Sequence, residues 1–230
     1  MIFRQLFDKT SSTYTYLLAQ RPGGEALLID PVLENTGQYV RLIEELNLQL
    51  VLAVDTHIHA DHVTALDSLR NQSGCATAMG AMTRAECVSV HFHEGEKLCA
   101  DGLHLDILYT PGHTDDSYSF LLPDRVFTGD TLLIRGTGRT DFQNGDPAAQ
   151  YDSLFGKLLT LPDDTLVYPA HDYNGMTVSS IGEEKRHNPR LQVSGKQAYI
   201  DQMNALELED PQMMDIAVPA NRACGIRNAA

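Results

Sequence analysis

The sequence has 230 residues, 43% hydrophobic and 21% charged, enough for one domain with a full apolar core. Its formal net charge of −14 argues against phosphate-neutralising binding to nucleic acid and against anionic membrane surfaces. No apolar run approaches the roughly 20 residues of a membrane span, and the 4 cysteines form no C-x-x-C pair, so a reduced, cytoplasmic setting is expected.

The predicted elements follow in chain order. "IFRQLF" and "TYTYLL" read as two strands around a polar turn at Asp8 to Ser12, and the first of them reads as a strand rather than a leader. "ALLID" is a third strand. "TGQYVRLIEELN" carries Tyr39, Ile43 and Leu46 at helical spacing. "LQLVLAVDTH" is a buried strand running into a histidine cluster. "LHLDILYT" alternates at Leu103, Leu105, Ile107 and Tyr109, and "YSFLL" and "RVFTGD" follow as strands. "DPAAQYDSLFGKLLTL" starts a helix, with Asp146 as N-cap and Pro147 in the first turn. "TLVYPAHD" is a further strand, and the tail around "GKQAYIDQMNAL" reads as helix. Several strands have no helix between them, so two sheets covered by helices are expected, not a doubly wound sheet. The whole chain is expected to be one domain, 1–230, with 179–230 as a short extension packed on it.

Four short motifs end predicted strands: "THIHADH", "TPGHTDDS", "FTGD" and "YPAHD". Each delivers a His or Asp where a strand becomes a loop, the place where rigid scaffolds hold functional groups. In an extended segment His57, His59 and Asp61 can face one point. A buried cluster this dense would be costly without a cation, and imidazole with carboxylate suits zinc, iron or manganese. His113, Asp130 and His171 must then arrive from elsewhere in the chain. His91, His93, His104 and His187 read as surface or capping residues.

H-x-H-x-D-H followed by G-H-T, G-D and a late His resembles the metallo-β-lactamase superfamily. That resemblance implies an α+β fold, the αββα sandwich. In the superfamily's glutathione thioester hydrolases, of the glyoxalase II type, the equivalents of His57, His59, His113 and Asp130 hold one metal. Those of Asp61, His62, Asp130 and His171 hold a second. All these positions are filled here.

A closer resemblance, through "LIDPVLE", "THIHADHVT", "TPGHT", "FTGDTLLIRGTGRTDFQ", "YPAHDYNGMTVSS", "NPRL" and "AVPAN", is to the persulfide (sulfur) dioxygenases. It implies a single non-haem Fe(II) per chain on His57, His113 and Asp130. A face of two histidines and one carboxylate leaves positions open, as oxygen-using ferrous sites require. It also implies oxidation of glutathione persulfide by O2 to sulfite and glutathione. Asp55, His59, Asp61, His62 and His171 would then orient ligands or handle protons. Arg139 and Tyr173 are the expected glutathione contacts, with Arg186 and Arg190 as further candidates, because arginine pairs bidentately with carboxylates. Cys224, in "AVPANRACG", reads first as a buried small hydrophobe, with a redox-sensitive thiol packed near the pocket as the alternative. A homodimer is expected, and neither nucleic acid nor membrane as a partner. The alternatives are a glyoxalase II-type thioester hydrolase with a binuclear site and a non-catalytic metal-binding or redox-sensing protein. The short stretch after His171 and the "RGTGRTDFQ" segment favour the dioxygenase.

Overall fold

The computed structural model describes residues 1–209 and 213–226; the remaining parts of the expected 179–230 extension lie outside the described residues. The strands are β1 Ile2–Asp8, β2 Thr13–Ala19, β3 Glu25–Ile29, β4 Gln49–Val54, β5 Ala76–Gly80, β6 Val90–Phe92, β7 Lys97–Ala100, β8 Leu103–Tyr109, β9 Tyr118–Leu122, β10 Arg125–Gly129, β11 Leu166–Pro169 and β12 Ser179–Ser180. The helices are α1 Thr36–Glu45, α2 Leu66–Ser73, α3 Pro147–Gly156, α4 Ile181–His187, α5 Lys196–Asn204 and α6 Met214–Arg222. The strands form two mixed six-stranded sheets, ordered β1-β2-β3-β4-β5-β6 and β12-β11-β10-β9-β8-β7.

The residues group into two compact sets. One comprises 1–92, 97–104 and 213–226, the other 93–96 and 105–209, so the expected 179–230 extension is divided between them. In the first set β1, β2 and β3 are antiparallel neighbours, and β3, β4, β5 and β6 run parallel. Every residue of β2 is buried, as a strand covered on both faces requires. Leu17 and Ala19 of β2 join Leu28, Ala53, Tyr39, Ile43, Leu66 and Leu69 in one apolar core. Tyr39 and Ile43 come from the face of α1 that helical spacing places inward.

In the second set β8, β9 and β10 are antiparallel, and β10 runs parallel to β11. Val126, Leu154, Leu158, Val167, Ile181 and Tyr199 form its core. Asp146 caps α3 as expected, its carboxylate accepting from the amides of Ala148 at 2.7 Å and Ala149 at 3.2 Å. The helix ends at Gly156, before the expected end, and a 3-10 turn at Leu158–Thr160 completes the segment.

Cys224 departs from the sequence expectation. It is fully buried, but it is no free thiol: a disulfide joins it to Cys87. No local pattern marks this pair, since 137 positions separate the two cysteines. His91, His93, His104 and His187 are exposed, as expected. Among the described residues no helix is long and apolar enough to cross a membrane.

Candidate metal centre

The histidine motif occupies the loop that follows β4. His57, His59 and His62 are all buried, and consecutive rings pack with centroids 4.2 Å and 4.3 Å apart. Their hydrogen bonds fix which nitrogen of each ring carries the lone pair. The Thr56 hydroxyl donates to Asp30 Oδ2 at 3.1 Å, so His57 Nδ1, 2.9 Å from that hydroxyl, must donate to it. His57 Nε2 therefore holds the lone pair. His59 Nε2 donates to Asp30 Oδ1 at 3.2 Å, which puts the lone pair on Nδ1. His62 Nδ1 donates to Asp61 Oδ2 at 2.9 Å, which puts it on Nε2. A carboxylate or hydroxyl behind each imidazole is the usual support of a metal-ligating histidine.

Asp30 is the residue that sequence reasoning missed. It directly follows β3 with φ 52, a left-handed conformation that costs a non-glycine residue. From there its carboxylate accepts the amide of Thr56 at 2.7 Å, as well as the Thr56 hydroxyl and His59. Burial pushes its pKa up to about 6, against the opposing charge of His57 and the Thr56 hydrogen bonds. Ligand atoms of Asp30, Asp55 and His59 lie within 4.8 Å of one another, and all three residues are buried. The only available signal was an aspartate at the end of an apolar strand, in "LLID".

A second set of candidates lies among residues 105–209. Asp130 follows β10 and divides its carboxylate. His171 Nδ1 donates to Oδ1 at 2.7 Å, and His113 Nε2 sits 3.6 Å from Oδ2. His113 Nδ1 donates to the Arg139 carbonyl at 2.7 Å, so its Nε2 carries the lone pair; by the same logic so does Nε2 of His171. The main chain of Arg139 thus orients a candidate ligand, a role its side chain does not share.

Gly138 makes this arrangement possible. Its amide donates to the Asp130 carbonyl at 2.8 Å, and its own carbonyl accepts from Gln150, which Tyr199 holds at 2.8 Å. A Cβ here would stand 2.3 Å from the Asp130 carbonyl and 2.8 Å from the His113 ring. Gly138→Ala is therefore expected to lose about 1–3 kcal/mol of stability, the usual cost of overpacking. Thermal unfolding checks this, with a parallel fall in metal content.

The expected substrate contacts are placed differently from one another. The Arg139 guanidinium forms a bidentate pair with Asp141, both bonds 2.7 Å, donates to the Glu209 carbonyl at 2.6 Å and lies over the Phe142 ring. That pairing holds the Asp141 carboxyl below its ordinary pKa. Tyr173 is 69% exposed, its ring stacked parallel to His171 with centroids 6.1 Å apart. Arg190 is half-buried and donates to the Thr137 carbonyl at 3.1 Å, its pKa lowered by burial. Arg186 is exposed on α4.

The sequence profile of the metallo-β-lactamase superfamily matches residues 9–98 and 93–171. Persulfide dioxygenase ETHE1, mitochondrial, from Mus musculus is 46% identical over 230 residues, covering 99% of this chain and 90% of that protein. A crystal structure of ETHE1 from Myxococcus xanthus superimposes with a TM-score of 0.95 at 52% identity, covering 98% of this chain and 100% of that one. A crystal structure of TTHA1623 in a di-iron-bound form gives a TM-score of 0.67 at 26% identity, covering 81% of this chain and 98% of that one.

Proposed function

The chain belongs to the metallo-β-lactamase superfamily and, within it, to the persulfide dioxygenases, and from this premise we propose that it oxidises glutathione persulfide with O2 to sulfite and glutathione. It has that superfamily's α+β fold, the αββα sandwich expected from the motifs. The observation that carries the proposal is the orientation of the histidines. In both sets each imidazole donates one nitrogen to an oxygen, so the lone pair of the other is directed elsewhere. Such a donor set fits a divalent metal.

In this reading, which follows the resemblance to the persulfide dioxygenases, His57, His113 and Asp130 hold one Fe(II). Bound ferrous iron would supply the electron transfer between persulfide sulfur and dioxygen that no side chain here can provide. The rest falls to the protein. The Arg139 carbonyl and the Thr56 hydroxyl keep His113 and His57 in one tautomer. Asp30 keeps His59 in place, and His171 supports Asp130 through a charge-assisted hydrogen bond. Asp55, Asp61 and His62 are left to orient ligands or handle protons. Tyr173 offers an exposed phenol to the tripeptide, and Arg139 reaches a substrate carboxylate by exchanging it for Asp141.

A contact of that kind is worth about 1.5–3 kcal/mol. Arg139→Ala is expected to raise KM for glutathione persulfide roughly 10- to 100-fold with iron content unchanged. Tyr173→Phe should move KM less, since it removes a neutral hydrogen bond. Steady-state kinetics with iron analysis on the same samples read both. An unaltered KM in Arg139→Ala would reduce that side chain to a loop staple. The proposal includes a cytoplasmic homodimer, which light scattering and fractionation check.

The second reading is a glyoxalase II-type thioester hydrolase with two metals. The di-iron form of TTHA1623 favours two metals, and the positions that would hold the second, Asp61, His62, Asp130 and His171, are all filled in this sequence. Oxygen uptake with glutathione persulfide, set against hydrolysis of S-lactoylglutathione, separates the two.

A further inference from the structure

We propose that the Cys87–Cys224 disulfide is a thiol-exchange site, and that its redox state sets how firmly α6 holds the histidine loop. Three observations support this. The first is the hold itself. Asn221, in the last turn of α6, is buried and reaches the loop with both ends of its side chain. Its Oδ1 accepts from the Thr64 amide at 2.8 Å, and its Nδ2 donates to the carbonyls of His59 and His62, each at 2.8 Å. Beyond the helix the Cys224 carbonyl accepts from the Asp67 amide at 3.0 Å, at the start of α2. Gly225 lies so close that a Cβ there would come within 2.0 Å of the Thr64 carbonyl.

The second is how little else keeps α6 in place. The buried residues of this nine-residue helix are Ala217, Ala220 and Asn221, and Pro219 interrupts it. Val218 packs partly buried against the neighbouring apolar core, and two alanines add little apolar area, so the apolar contribution to docking is small. Cys224 itself has φ 57, a conformation in which helix ends favour glycine or asparagine. A covalent bond to Cys87 keeps a cysteine there. The third is access. Cys87 is half-buried in the irregular stretch 81–89 between β5 and β6, whereas Cys224 is fully buried. An attacking thiolate therefore meets the Cys87 sulfur first.

The exchange balances with a small thiol as reductant. Its thiolate attacks Cys87 Sγ, the Cys87–Cys224 bond breaks, and Cys224 leaves as a thiolate that takes up a proton. A second thiolate attacks the sulfur of the small thiol in the mixed disulfide, which releases Cys87 and forms the thiol's own disulfide. Two electrons enter the protein and two thiols are oxidised. In a thiol-rich compartment, disulfides that form are typically transient and redox-sensing. Reduction leaves Asn221 tethered by a short, weakly docked helix, so the main chain of His59, His62 and Thr64 loosens. Any consequence for metal retention rests on the metal reading above; the exchange and the loosening do not.

Hydrogen exchange and alkylation of the full chain, oxidised or treated with glutathione, test the proposal. Reduced glutathione should expose Cys87 and Cys224 to alkylation under native conditions, and amides across 59–67 should exchange roughly tenfold faster. Cys87→Ser should give the fast exchange with or without thiol, and Cys99→Ser should keep the full response. Asn221→Ala should exchange fast and respond no further, which places the coupling in that side chain. Equal exchange in oxidised and reduced wild-type protein would overturn the proposal, as would failure of glutathione to open the bond. Iron bound equally in both states, with exchange still thiol-dependent, would sever the link to the metal alone. Iron bound in neither state would end the metal reading and leave the exchange result standing.

Discussion

Alanine at His57, His113 or Asp130 is expected to remove iron from the purified protein and, with it, oxygen uptake. Three protein ligands leave no spare, so the loss of any one should be near complete. Asp130→Ala should be the most severe, because the same carboxylate is a proposed ligand and the acceptor that holds His171 at 2.7 Å. Asp130→Asn keeps the shape and removes the charge, so it separates loss of metal from loss of fold when circular dichroism is recorded alongside. His171→Ala and His62→Ala should keep most of their iron, with losses of about 10- to 100-fold in affinity or activity, typical when a group supporting a ligand is removed. Asp30→Asn belongs with this milder class, since it weakens the support of His57 and His59 and removes no proposed ligand. Metal analysis of protein purified without added metal reads the series. Iron loss in His171→Ala as complete as in His113→Ala would refute the assignment of one metal to His57, His113 and Asp130.

Exchange of iron for zinc is expected to abolish oxygen consumption while glutathione binding persists. A thioester hydrolase needs a Lewis acid and a hydroxide, and zinc serves without changing its oxidation state. A dioxygenase needs a metal that shares electrons with oxygen. The same histidines and the same Tyr173 would serve either reaction, so the metal and the co-substrate discriminate, not the pocket. Iron-loaded protein should consume one O2 for each sulfite formed from glutathione persulfide, and should hydrolyse S-lactoylglutathione poorly. An oxygen electrode and a thioester absorbance assay on the same preparation decide the matter. Rapid thioester hydrolysis by the zinc form, without oxygen uptake, would transfer the chain's activity to the hydrolase class.

The elements that the sequence made legible are those whose cause is local. Alternation in "LHLDILYT" and the Asp146-Pro147 start of α3 act over a few residues, and both appear where expected. Elements with weak local signals escaped. β5, "ATAMG", has few of the β-branched and aromatic residues that mark a strand, yet parallel pairing to β4 holds it. α2 offers only Leu66 and Leu69 as an apolar face, and Pro219 in α6 reads as a break rather than helix.

The sequence by itself determined the donor types and their placement at strand ends, because three histidines and an aspartate in one short motif allow few other uses. It could not say which nitrogen of each ring points to a ligand. That choice rests on partners distant in the chain: Asp30 for His59, the Arg139 carbonyl for His113 and Asp130 for His171. The same holds for the pairing of Arg139 with Asp141 and Glu209, the grip of Asn221 on the histidine loop and the bond between Cys87 and Cys224. A hydrogen bond or a disulfide needs atoms within a few ångströms of each other. Composition and spacing set what a residue can offer, and only the folded chain brings its partner within reach.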